Sequence, residues 1–184
     1  MMKINHVSAM IGAIVFGLSS QVMAAPDQGR GKVDFFGSII DAPCSIAPES
    51  GDQTVEMGQV ANTTLIEYGA GTPQDFNIKL VGCSFTTAQS VDVTFEGATV
   101  AGNPLEKNMD NMYLQLDSIN AKGAGIKLRN KMNGETIRIG QPTTFNNLMD
   151  GTNELKFSAT VERVAELVEP GEFTSTANFV LAYQ

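Results

Sequence analysis

Residues 171–184 constrain this chain more than any other segment. Phe173, Phe179, Leu181 and Tyr183 share one parity, with small Ser175 and Ala177 between them, while Thr174, Thr176, Asn178 and Gln184 take the other. Successive strand side chains point to opposite faces, so the pattern predicts a half-buried β-strand with one apolar face. The strand runs to the last residue of the sequence, which leaves nothing after it to pair with its far edge. An unpaired edge with an apolar face is a template for another chain, so something is expected to cover it.

The other end of the sequence suggests an exported protein. Within residues 1–24 the only charge is Lys3, followed by an apolar run over 7–18 and then Val22, Met23 and Ala24. A charged start, a short apolar core and small residues before a cleavage point make up a secretory signal peptide. The run is too short for a membrane-spanning helix, and no later segment is long and apolar enough for one. Cleavage after Ala24 would leave roughly 160 residues, the size of one domain.

Export gives the two cysteines a meaning. In an oxidising compartment the lone pair Cys44 and Cys83 reads as a disulfide. It would close a loop of about 40 residues, worth ~4 kcal/mol on the chain-entropy account. The same inventory excludes several functions. The single histidine, His6, lies in the signal segment, so no imidazole base, Ser/Cys–His pair or histidine ligand remains beyond it. Two cysteines without histidine are too few for a structural zinc site, and no metal or cofactor is expected. Asp110 and Asp117 read as surface charge. A formal charge of −8 disfavours a nucleic-acid partner. The basic stretch Lys122, Lys127, Arg129, Lys131 and Arg138 reads as a solvated strand face. Met109, Met112, Met132 and Met149 read as core filler.

Between the ends, strand signals dominate and helix signals are weak. Residues 32–40 are β-rich, with Val33, Phe35 and Ile39 on one parity. Residues 77–83 alternate Ile78, Leu80 and Gly82 against Lys79, Val81 and Cys83, and residues 90–95 put Val91, Val93 and Phe95 on one face. Shorter candidates cover 112–116 and 125–128. Asn133-Gly134, set between Ile126-Lys127-Leu128 and Ile137-Arg138-Ile139, signals a hairpin turn. Asp150-Gly151 precedes alternating Leu155, Phe157, Ala159 and Val161. Short strands with regular turns predict an all-β, antiparallel sandwich. Residues 25–31 hold too few apolar groups to pack on their own domain; they read either as a frayed terminus or as a strand offered to something else.

Taken in order, these segments resemble the chaperone–usher pilins of Gram-negative bacteria, especially the major rod subunits of P-pilus and type 1 fimbriae. The likeness spans the whole chain. It includes the signal segment, Gly31-Lys32-Val33-Asp34-Phe35-Phe36-Gly37, and the first cysteine in Asp41-Ala42-Pro43-Cys44-Ser45-Ile46. It continues through the second cysteine in Leu80-Val81-Gly82-Cys83, the stretch Gly125-Ile126-Lys127-Leu128, and residues 148–155 leading to the terminal strand. Gly171, fourteenth from the end, and the penultimate Tyr183 are its specific markers.

The resemblance implies an incomplete immunoglobulin-like β-sandwich lacking its last strand, completed by donor-strand exchange between subunits. It divides the chain into a cleaved signal peptide (1–24), an N-terminal donor arm (25–35) running into the first strand, and a pilin domain (36–184). Gly171, Phe173, Phe179, Leu181 and Tyr183 would form the acceptor groove and chaperone contact. Asp27, Gly29, Gly31, Val33 and Phe35 would be the donor face, with Gly31 at a position too tight for a Cβ. This arm departs from the usual alternation of apolar residues, since its first three donor positions are Asp27, Gly29 and Gly31. The implied partners are other pilin subunits, a periplasmic chaperone and an outer-membrane usher, and the implied location is a surface fimbria that supports adhesion. The expected function is therefore a non-enzymatic structural subunit of a pilus. A minor adaptor or terminator pilin and an exported, self-complete carbohydrate-binding domain are the alternatives.

Overall fold

The computed structural model describes residues 30–86, 90–101 and 110–184. The chain divides into two units, Met1–Ile39 and Ile40–Gln184. Of the first, residues 1–24, expected to be a signal peptide, and the expected arm positions Asp27 and Gly29 lie outside the described residues. Residues 30–39 form no strand, and Val33, Phe35, Phe36 and Ile39 are exposed. The strand expected over 32–40 is therefore absent. β-propensity reflects how a residue fits a pleated surface, and a strand has no hydrogen bonds of its own without a neighbour.

Among its described residues the second unit holds eight strands and two short helices. In chain order these are β1 (Ser45–Ile46), α1 (Pro48–Gly51), α2 (Asn62–Tyr68), β2 (Gln74–Cys83), β3 (Val91–Glu96), β4 (Tyr113–Gln115), β5 (Ala124–Asn130), β6 (Pro142–Phe145), β7 (Gly151–Arg163) and β8 (Asn178–Tyr183). One sheet runs β1-β2-β7-β5-β4 and the other β6-β3-β8, with every pairing antiparallel. The period-two patterns place the core between them. Ile78 and Leu80 of β2, Leu155, Phe157, Ala159 and Val161 of β7, and Val91, Val93 and Phe95 of β3 are all buried. Edge-to-face rings join the two sheets, with Phe157 5.2 Å from Phe95 and 5.3 Å from Phe145.

Several elements differ from what the pattern predicts. The Asn133-Gly134 turn is present, but Asn130 and Glu135 close it, giving a loop over 131–134 instead of a two-residue connection. Its second limb makes only the isolated bridge Arg129↔Thr136, although Ile137 and Ile139 beyond it are buried. Met132 and Met149 are exposed rather than core filler. The strand β6 had no sequence signal because it is short and opens with proline, which suits an edge. The two helices, at 4 and 7 residues, are too short to display a helical period.

The disulfide joins Cys44, just before β1, to Cys83 at the end of β2. Cys83 lies on the outward parity of β2, yet it is buried. The β2–β7 register shifts between Leu80 and Cys83, and Gly82 there has φ +62°, a left-handed conformation that favours glycine. This bulge resets the alternation and turns Cys83 inward.

The outward face of the larger sheet is not the fully solvated basic face that its charges predict. Lys127 Nζ donates to Glu162 Oε2 at 2.6 Å, with the two side chains 10% and 14% exposed. The Tyr113 hydroxyl donates to the same oxygen at 3.1 Å, and Lys127 Nζ lies 5.0 Å from the centre of the Tyr113 ring. Burial alone would pull the lysine's pKa down, but the hydrogen bond and charge of Glu162, with Tyr113, outweigh it and raise it above its ordinary 10.5. Lys122 and Lys131, by contrast, make exposed pairs with Glu169 and Asp75.

Two measurements test these features. Non-reducing mass spectrometry of the folded protein should find no free thiol, and Cys44→Ser should lower the urea midpoint by the equivalent of about 2–5 kcal/mol. Glu162→Gln removes one half of a largely buried pair and should cost roughly 3 kcal/mol by the same measurement, with most of it recovered in Lys127→Met/Glu162→Leu. Because the lysine's folded pKa is raised, the pair's contribution is full below pH 10.5 and lost as the pH climbs through the folded value. The double variant should not show that alkaline loss.

Candidate functional site

From Phe173 to Tyr183 exposure alternates at every residue. Phe173, Ser175, Ala177, Phe179, Leu181 and Tyr183 are half-buried, and the residues between them are exposed. β8 pairs along one side with β3, in the register Val91↔Tyr183, Val93↔Leu181 and Phe95↔Phe179. Its other side has no strand partner among the described residues. A row of backbone N–H and C=O groups is therefore open along that edge.

The stretch leading into β8 is held by the opposite sheet. Thr174 and Asp117 exchange both backbone hydrogen bonds, at 2.7 and 3.1 Å, and Ser175 Oγ donates to the Gln115 carbonyl at 2.8 Å. Ser118 makes a smaller anchor: its hydroxyl donates to the Glu172 carbonyl at 2.5 Å and accepts from the amide of Ala121 at 2.9 Å. Gly171 passes so close to this loop that a Cβ there would sit 2.5 Å from the Ala121 nitrogen. That contact supplies a steric reason for glycine at the position. The chain thus crosses from one sheet to the other over 171–179.

Facing this crossing segment is residues 50–60, which follow the start of α1 and carry no strand. Val55 and Met57 are half-buried while Glu56 and Gly58 are exposed. Between the two walls lies an open groove of about 1520 Å³. Its floor is built from core side chains, among them Phe76, Ile78, Phe95, Ile126, Leu128 and Val161. Small-molecule pockets span roughly 300–1,000 Å³, so the volume suits an extended peptide better. An apolar floor beside an open strand edge can accept a further strand, with backbone hydrogen bonds along the edge and alternate side chains pointing down.

Of the residues expected at the site, Gly171, Phe173 and Phe179 line the groove. Leu181 and Tyr183 pack against the core on the same face, farther along β8. The Tyr183 hydroxyl is buried with no hydrogen-bond partner among the described residues, and burial raises its pKa. The arm positions Gly31, Val33 and Phe35 are exposed and outside any strand, and Cys44 and Cys83 are bonded to each other. The 50–60 wall and the Ser118 anchor carried no recognisable signal, because two inward residues are too few to mark an alternation. Among the described residues no group of His, Cys, Asp and Glu is arranged to hold a metal ion.

Comparison with known proteins agrees with this geometry. The fimbrial protein family matches residues 33–184. The chain is 44% identical to a fimbria A protein of Serratia marcescens and 39% identical to the major MR/P fimbria protein of Proteus mirabilis, over the full length of each pair. It is 33% identical to the Pap fimbrial major pilin protein of Escherichia coli, again over both full lengths. Among solved structures, it resembles a chain of a chaperone–usher pilus with a TM-score of 0.73 and 32% identity, covering 86% of this chain and 98% of the other. The crystal structure of the P pilus rod subunit PapA aligns with a TM-score of 0.63 and 30% identity, covering 78% and 100%. The open immunoglobulin-like sandwich and these relationships place the chain in the fimbrial protein family, as a structural subunit of chaperone–usher pili and not an enzyme.

Proposed function

We propose that this chain is a major rod subunit that polymerises by donor-strand exchange. The observation that carries the reading is the free edge of β8 beside an apolar groove of about 1520 Å³. In this reading residues 1–24 direct export and are removed. A periplasmic chaperone first lends a strand to the groove, and at an outer-membrane usher the arm of the next subunit replaces it. The rod function is supported by the relatives, two of which carry the names of major fimbrial proteins.

The arm in this reading is longer than residues 25–35. The stretch without strand continues past Phe35, and the compact unit begins at Ile40. An arm ending at Ile39 places Val33, Phe35, Gly37 and Ile39 on one parity with Gly29 and Gly31. That gives three apolar side chains for the groove, with glycines where the backbone can lie closest to its floor. The sparse alternation at the start of the arm is then only its first part.

Removing the arm and damaging the groove should have different effects. Deleting residues 25–39 should leave the chaperone complex intact while electron microscopy finds no filaments. Phe179→Asp or Tyr183→Asp puts a carboxylate on the apolar face at a cost of several kcal/mol, so the 1:1 chaperone complex itself should be lost. Filaments of normal length from the arm deletion would overturn the reading.

A further inference from the structure

The groove has an acidic rim. Asp52 and Glu56 lie on one wall, Asp117 and Glu172 on the other, and all four are exposed. No ion pair among the described residues engages any of these four carboxylates, whereas the neighbouring Glu169 is paired with Lys122 at 3.5 Å. Both walls alternate in the same sense: Val55 and Met57 turn inward around Glu56, and Phe173 turns inward beside Glu172. The carboxylates therefore border the apolar floor on its solvent side.

The arm has the opposite bias on its second parity. With Val33, Phe35 and Ile39 directed to the floor, an extended arm presents Arg30, Lys32 and Asp34 on the outward side. Lys32 Nζ lies 2.9 Å from Asp34 Oδ1, an exposed pair of little strength that a rim carboxylate can replace. Opposite charges facing each other across adjacent strands stabilise the pairing and like charges oppose it. Charges at the mouth of a groove also act before contact, by steering encounter.

Resting on the donor-strand reading, we infer that the acidic rim formed by Asp52, Glu56, Asp117 and Glu172 selects the arm of a second copy of this chain through Arg30 and Lys32. The apolar floor sets how deeply a strand seats, and the rim sets which strand enters quickly. A donor with acidic residues at those two positions meets repulsion from both walls.

The test uses the chain from Ala25 onward, refolded from denaturant, with filament growth followed by light scattering at about 20 mM and about 500 mM salt. Arg30→Glu/Lys32→Glu should slow growth roughly tenfold at the lower salt, with Arg30→Gln/Lys32→Gln between it and the unaltered chain. The gap should narrow at the higher salt. Adding Glu56→Lys/Glu172→Lys to the reversed arm should restore growth to within about threefold of the original rate. Equal growth of the reversed and original arms at low salt overturns the inference. A chain lacking residues 25–39 separates the two levels. If it does not grow while the reversed arm grows normally, only the electrostatic inference falls. If it grows, arm insertion is wrong and the inference falls with it.

Discussion

Phe157 stands where the two sheets meet, and the sandwich is arranged about its ring. Phe76 stacks on it at 5.1 Å, while Phe95 and Phe145 approach edge-on at 5.2 and 5.3 Å. Aromatic pairs in these orientations gain about 0.5–1.5 kcal/mol each beyond the area they bury. The cluster does not stop at the core boundary. Phe95 lies 6.3 Å from Phe179 on β8, and Phe76, only half-buried, forms part of the groove floor. The same side chains that fix the packing of the two sheets also make the surface on which a further strand would rest. Whatever fills the groove therefore acts directly on the core.

The smaller sheet has two outer edges, and they are built differently. β6 is four residues long and opens with Pro142, which cannot donate a ladder hydrogen bond. β8 has no proline, lies next to an apolar floor, and has no strand on its outer edge among the described residues. Short, proline-blunted edges are a common protection against unwanted pairing. Protection of one edge and exposure of the other gives association a single direction.

The sequence made the long strands legible because each alternates over many residues. β7 and β8 could be read from Leu155, Phe157, Ala159 and Val161, and from Phe179, Leu181 and Tyr183, together with their parity. Features that depend on one local contact could not be read. Cys83 is buried because a bulge at Gly82 resets the register, and the alternation before it points the other way. Lys127 is buried because Glu162 and Tyr113 converge on it from β7 and β4, two strands distant in sequence. The β-rich stretch 32–40 carried a strand signal that holds only when a neighbour exists to pair with. The groove was legible from one wall, since residues 50–60 show no pattern longer than a few residues.

The placement of Cys44 bears on how tension would travel through a string of such subunits. Four residues separate the end of the first unit, at Ile39, from the disulfide at Cys44. A pull transmitted along residues 30–39 reaches Cys44 before it reaches β1, and a covalent bond passes it to the end of β2. There it spreads into the β2–β7 ladder, whose backbone hydrogen bonds lie across the strand direction. The two-residue strand β1, too short to bear such a load alone, is bypassed. If residues 30–39 carry the load between subunits, the bridge that staples the fold is also the point where force enters it.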